Sequence, residues 1–303
     1  EGALTRVYRA TGMEVAAEQA GIRLNLDTDF QTVSFLEGEL IKYFDLLTPL
    51  VEADAVFNLC KLKTHTFMAM TGAVKNLFGA IPGRAKPAFH AKLQEAQLFA
   101  QMLLDLAACV EPRLSIMDAV VGMEGNGPNN GSPRRVGLLL ASTHPLALDV
   151  VAAAIMGLDI QQNPIMREAR KRGLTPIKLD QVDLVGIEKS DLRVPDFKLP
   201  ATVASDDGTG GATWLRSVAL DLFKSSISPR PEVDKGICIA CEDCYEICPM
   251  DAIDMLEAEK RYAHIDDDEC IRCYCCHETC PQDAIDLRSN LLYRLIMPKS
   301  HRM

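Results

Sequence analysis

The sequence predicts an α/β domain built on a largely parallel sheet, followed by a smaller, cysteine-rich domain. Through the first two hundred residues, short β-rich apolar runs alternate with helical patterns, the signature of strands covered by helices. Nine of the eleven cysteines then fall between Cys238 and Cys280. The net charge of −10 sits on that same segment, because residues 233–288 hold 15 acids and 5 bases while the rest of the chain holds 27 of each. At 303 residues the chain has the length for two domains.

Residues 1–21 lack the basic start and apolar core of a secretory signal and read as the inside of a domain, so the natural N-terminus is expected further upstream. Ala55–Leu59, Leu114–Met117, Val136–Ala141 and Val182–Ile187 read as strands. Leu93, Ala96, Ala100, Leu103, Leu104 and Ala107 recur at helical spacing and predict an amphipathic helix packed on one sheet face. Pro145 suits the first turn of a helix running to Met156 with Gly157 as its stop, and the apolar content predicts near-complete burial. From Pro195 to Gly211 the pattern dissolves into Pro, Asp, Ser and Gly, which reads as a linker. Trp214, Val218 and Leu222 predict one face of a short helix, Ser228–Pro231 an extended lead, and Leu291, Leu292, Leu295 and Ile296 a docking helix in the tail. The expected division is 1–205 for the α/β domain, 206–232 for a linker with a short helix, 233–288 for the cysteine domain and 289–303 for a tail. No apolar run approaches the ~18–20 residues of a membrane span, and the longest candidate is interrupted by Pro145 and Asp149.

The cysteine segment repeats itself. Cys238, Cys241, Cys244 and Cys248-Pro249 recur 32 residues later as Cys270, Cys273, Cys276 and Cys280-Pro281, each followed by Asp-Ala-Ile-Asp. Both halves read C-x2-C-x2-C-x3-C-P, the bacterial run in which three thiolates hold one 4Fe-4S cluster and the fourth reaches across to the other. That rule assigns Cys238, Cys241, Cys244 and Cys280 to cluster one, and Cys270, Cys273, Cys276 and Cys248 to cluster two. Zinc also uses Cys-x2-Cys pairs, but duplicated triplets each followed by Cys-Pro fit it poorly. The segment resembles the two-cluster bacterial ferredoxins throughout, which implies a small α+β fold and one-electron transfer at low potential. Cys275 lies outside the register, a bystander near the second cluster or a reactive thiol. Cys60 and Cys109 read as core residues. Clustering of this kind speaks for metal rather than disulfides, and the expected location is the cytoplasm. The acidity disfavours nucleic acid; it either steers the module toward a basic redox partner or merely solvates it.

In the larger domain the densest stretch of chemistry is Asn58–His90. Lys61, Lys63, His65, Lys75 and His90 are expected just beyond the carboxyl end of a strand, where open α/β sheets bind ligands. Lysines would hold an anion as point charges and a histidine would move a proton; the plainer reading is solvated lysines and helix-capping histidines. A glycine-rich loop, Gly122–Gly131, follows Asp118 and lacks both dinucleotide and Walker patterns. Asp118 and Glu124 are candidate bases or metal ligands there, and Asp149 faces either a helix end or the cleft.

The order of KLKTH, TGAVKNLFG, GMEGNGP and HPLALDVVAAAIMG is similar to that of the iron-sulfur proteins of the "domain of unknown function 362" family from about Leu46 onward. The resemblance implies a first strand and loop before Glu1, and it strengthens the case for a site at the first basic segment. The expected function is an oxidoreductase in which two 4Fe-4S clusters exchange electrons with a small anionic substrate held by Lys61, Lys63 and Lys75, with His65 or His90 moving protons. The alternatives are an electron-transfer or assembly partner that docks another protein, and a metal-dependent enzyme whose clusters are structural.

Overall fold

The computed structural model describes residues 3–204, 230–257 and 260–288; the helices expected at Trp214–Leu222 and in the tail lie outside the described residues. Two short helices, α1 (Ala3–Ala10) and α2 (Met13–Ala20), lead to a hairpin of β1 (Phe30–Ser34) and β2 (Tyr43–Leu47) and one turn of helix, α3 (Thr48–Val51). The central sheet holds β3 (Phe57–His65), β4 (Ala69–Thr71), β5 (Leu114–Asn126) and β6 (Asn130–Ser142) in the order β4-β3-β5-β6. Between β4 and β5 lie α4 (Ala73–Asn76), α5 (Lys86–Lys92) and α6 (Ala96–Val110); after β6 come α7 (Pro145–Met156), α8 (Pro164–Lys171) and α9 (Ala201–Ala204). The cysteine segment contributes β7 (Arg230–Val233), α10 (Asp243–Ile247), β8 (Ile253–Leu256), β9 (Tyr262–Ile265), α11 (Cys275–Thr279) and β10 (Ile285–Arg288).

The protein is α/β with a small ferredoxin-like C-terminal region, and its sheet is mixed. β3 and β5 run parallel at its centre, while β3–β4 and β5–β6 are antiparallel. Three sequence expectations change in detail. β3 starts at Phe57 and continues through Lys61, Lys63 and His65, so these residues are the end of a strand rather than a loop after it. Their neighbours Cys60, Leu62 and Thr64 keep the period-2 burial going, and that alternation extends the strand past its apolar start. The Gly122–Gly131 loop is a hairpin, with Asn126 paired to Asn130 across its tip. Val182–Ile187 is not a strand: Val182, Leu184 and Ile187 lean on the core from an irregular segment, and Val185 points to solvent.

Two apolar cores hold the large domain. Cys60, Leu62, Met117 and Ala119 of the sheet pack under Ala152 and Ile155 of α7. α7 runs from Pro145 to Met156 and stops at Gly157, whose φ of 67° is the left-handed stop a glycine allows. The second core gathers Phe44 of the hairpin and Phe99, Leu103 and Leu106 of α6 with Ile165 and Ala169 of α8. Each large side chain buried there contributes about 1.5–3 kcal/mol. Asp105 of α6 ties these pieces together: it accepts the backbone N–H groups of Glu39, Leu40 and Ile41 and pairs with Arg172 at 2.6 Å. Burial alone would raise its carboxyl, but these four donors more than offset it and leave the group below its usual range.

In the C-terminal region β7 pairs with β10 and β8 with β9, so the strand before the first cysteine run meets the strand after the second. Ile253, Ala263 and Ile285 form a small core together with Cys244 and Cys276.

Candidate functional site

The cysteines stand around two cavities. Cys238, Cys241, Cys244 and Cys280 line one of about 350 Å3, and Cys248, Cys270, Cys273 and Cys276 line another of about 330 Å3. The fourth cysteine of each run thus crosses to the cavity of the other half. The backbone around them repeats as the sequence does. Ala240, Glu242 and Asp251 have φ of 54°, 70° and 52°, and their counterparts Arg272, Tyr274 and Asp283 have 55°, 63° and 51°. Left-handed residues alternating with ordinary ones turn successive N–H groups toward a common point, a concavity suited to an anionic group. The N–H of Ala252 donates to Cys248 Sγ at 3.3 Å and that of Ala284 to Cys280 Sγ at 3.2 Å, bonds that stabilise thiolate sulfur. Four thiols per cavity with N–H groups aimed at sulfur fit an iron-sulfur cluster. Cys275 lines the second cavity from a buried position, where contact with Cys273 and burial both raise its thiol. Cys60 is held in the core with its thiol pushed up to about 12 by burial and by Asp149.

The basic segment of the large domain meets this module. Lys61, Lys63 and His65 lie on one face of β3, and burial grows along the strand: Lys61 is exposed, Lys63 half-buried and His65 wholly buried. His65 accepts the N–H groups of Phe67 and Met68 at Nδ1, at 3.0 and 3.3 Å, so its proton sits on Nε2. Nε2 lies 3.0 Å from Oε1 of Glu278, two residues after Cys276. Lys63, Lys75 and His90 also feel the Glu278 charge. Burial opposes its ionised form, yet His65, Lys75 and His90 hold Glu278 down to about 2. Burial lowers the lysines 63 and 75 and depresses His65 and His90 to about 4, so both histidines are neutral at neutral pH.

Local structure explains how these groups arrive together. Gly72 precedes α4, and Asp149 of α7 accepts the N–H groups of Ala73 and Val74 at 2.5 and 3.1 Å, which fixes the turn carrying Lys75. A side chain at position 72 would collide with that carboxylate, so the glycine is required for close approach. Asp149 therefore neither serves its own helix nor faces the basic cluster, and burial pushes it up to about 7. His90 of α5 stacks on Phe99 at 4.6 Å, flanked by Phe67 and Phe78. At the hairpin tip the Asn129 amide donates to the Glu278 carbonyl, and Asn130 donates to that of Ile285 at 3.3 Å.

Other candidates are dispersed. Lys61 pairs with Asp118 at 2.6 Å on the surface, apart from the buried cluster, and that contact lowers the Asp118 carboxyl. Glu124 accepts the N–H of Lys198 and lies 3.8 Å from Arg134. Among the described residues no three His, Cys, Asp or Glu side chains are arranged around a single metal ion. Sequence reading missed Glu278. Its signal was a difference between the halves: Glu242-Asp243-Cys-Tyr-Glu246 in the first becomes Tyr274-Cys275-Cys-His-Glu278 in the second, which strips two acids and keeps one.

Residues 237–284 match the 4Fe-4S dicluster domain, which supports cluster binding and electron transfer by this region. The "Thylakoid-associated protein sll1697" of Synechocystis sp. is 37% identical over 172 residues, covering 56% of this chain and 53% of that protein. An iron-sulfur subunit of the CoB–CoM heterodisulfide reductase of Methanopyrus kandleri is 31% identical over 118 residues, 38% of this chain and 16% of that protein. The chain thus spans about half the length of the first relative and a sixth of the second. Residues 1–154, which carry the basic strand, α4, α5 and the asparagine hairpin, match the family described as "Domain of unknown function (DUF362)", and the chain belongs to that family.

Proposed function

We propose that this iron-sulfur protein is an oxidoreductase that passes electrons between two 4Fe-4S clusters and a small anionic ligand at the large domain. The observation that carries the reading is the seating of α11, with Cys275, Cys276 and Glu278, against the basic end of β3. In this reading Cys238, Cys241, Cys244 and Cys280 hold one cluster, Cys270, Cys273, Cys276 and Cys248 hold the other, and the α/β and ferredoxin-like domains follow the division at about 205 and 233. The clusters supply single electrons. Lys63 and Lys75 bind the ligand, neutral His65 donates a hydrogen bond from Nε2 toward it, and the aromatic wall around His90 excludes water. Lys61, paired with Asp118, stands at the outer approach. Cys241, Ile239 and Tyr245 are exposed on the first half, beside Glu242, Asp243 and Glu246, a surface suited to a basic redox partner in the cytoplasm.

The test is EPR of the anaerobic, dithionite-reduced protein, with iron analysis, before and after fractions of cell metabolites. About eight irons and reoxidation by an anionic fraction, lost in K63E/K75E, are expected. Full iron content with no response to any fraction would sink the oxidoreductase reading and leave electron relay to a protein partner.

A further inference from the structure

Resting on the anion site just described, we propose that Glu278 is a built-in occupant of that site, which takes a small organic carboxylate by displacing the Glu278 side chain. His65 at the end of β3 meets a carboxylate that comes from the other domain, and the charges of Lys75 on α4 and His90 on α5 act on the same carboxylate. The Lys63 and Lys75 ammonium groups also feel this carboxylate, so the surroundings of His65 favour an anion. The occupant fits loosely. His65 Nε2 and Glu278 Oε1 are 3.0 Å apart but out of line, and neither has a well-formed hydrogen bond. His90 Nδ1, in a side chain 5% exposed, also lacks a hydrogen bond. Buried polar atoms are paired in finished interfaces, and the unsatisfied pair of His65 Nε2 and Glu278 Oε1 marks a set that a ligand completes.

The module does not have to undock for this exchange. Asn129 and Asn130 hold the backbone carbonyls of Glu278 and Ile285, not the carboxylate. The Glu278 side chain keeps 25% of its surface in solvent, which gives it a way out and a ligand a way in. Nor does the cysteine repeat require a buried acid here, since the equivalent Glu246 is exposed.

The experiment is anaerobic calorimetry of malonate binding to the full chain with both clusters loaded, comparing wild type with Glu278→Ala and Glu278→Gln. Removing an internal competitor is expected to tighten malonate binding about tenfold or more, with sulfate binding more weakly and Lys75→Met abolishing the gain. Equal binding to all three proteins, no binding to any, or sulfate binding as well as malonate would overturn the proposal. The two Glu278 variants guard against a folding defect in one, and iron content checks both. Reoxidation of reduced clusters by metabolites, measured on the same samples, separates the two ideas. If it occurs without malonate binding, the occupant proposal fails and the oxidoreductase reading stands; if malonate binds without it, the occupant proposal stands and the oxidoreductase reading fails.

Discussion

The two halves of the cysteine module share a backbone and differ in what they face. Three left-handed positions recur at the same spacing with φ values within a few degrees, and the same N–H groups point at the same sulfurs. Yet Tyr245 is 48% exposed while its counterpart His277 is 1% exposed. Glu246 sits in water, and Glu278 sits 3.0 Å from buried His65. The cradle for a cluster is therefore encoded by the repeat, and the docking by the few positions at which the repeat is broken. Replacing Glu242 and Asp243 by Tyr274 and Cys275 removes two charges that burial against the large domain would otherwise have to desolvate.

The strongest way to break this comparison is to exploit the crossing of the fourth cysteines. Cys280→Ala alters the second run but is expected to disable the cavity of the first, lowering iron from about eight to about four per chain. The EPR spectrum of reduced Cys280→Ala should then match that of Cys241→Ala, which opens the same cavity, and differ from that of Cys276→Ala. A match to Cys276→Ala instead would show that the halves do not exchange ligands.

Neutralising the equivalent glutamates sharpens the contrast between water and interface. Glu278→Gln, whose backbone carbonyl stays held by Asn129, is expected to loosen the structure around His65 by about 1–3 kcal/mol, the cost of disturbing a buried polar contact, whereas Glu246→Gln should stay within about 0.5 kcal/mol. Hydrogen exchange at the end of β3 reads the difference, and equal protection in both variants would contradict it.

Acid acts on the large domain through the histidines near the docked half. His65 and His90 are held at about 4 by burial, against an ordinary value of 6.5, so the unfolded chain binds more protons between those limits. Their contribution is complete above pH 6.5 and is lost as pH falls toward 4, worth about 1–3 kcal/mol per histidine. Thermal midpoints from pH 7.5 to 4.5 should fall less steeply in H65Q/H90F than in wild type; parallel curves would assign the acid sensitivity elsewhere. The smallest effect belongs to Lys61→Ala, which breaks an exposed pair with Asp118 and should cost about 0–1 kcal/mol. In the same denaturation series Lys63→Ala, from the half-buried position, should differ.

Much of this molecule was legible in one dimension. Periodicity placed α7 between Pro145 and Met156 and stopped it at Gly157, because a proline start, an apolar interior and a glycine end are local properties. The same locality made the cysteine repeat readable, since the first three cysteines of each run lie within seven residues. The end of β3 was harder, because Lys61, Lys63 and His65 look like loop residues until the burial of Leu62 and Thr64 shows the strand continuing. Val182–Ile187 misled for the opposite reason: its apolar residues satisfy a core without pairing with any strand.

What the sequence determined by itself is the chemistry available: eight cysteines in two repeated runs, an acidic module and a run of lysines and histidines. What only the tertiary structure decided is which of those groups meet. Glu278 and Lys75 are about two hundred residues apart, and the local difference between the halves does not say that Glu278 meets His65. That choice is made by desolvation: one half of the module is buried against β3, and there a single carboxylate answers cations that water would otherwise have screened.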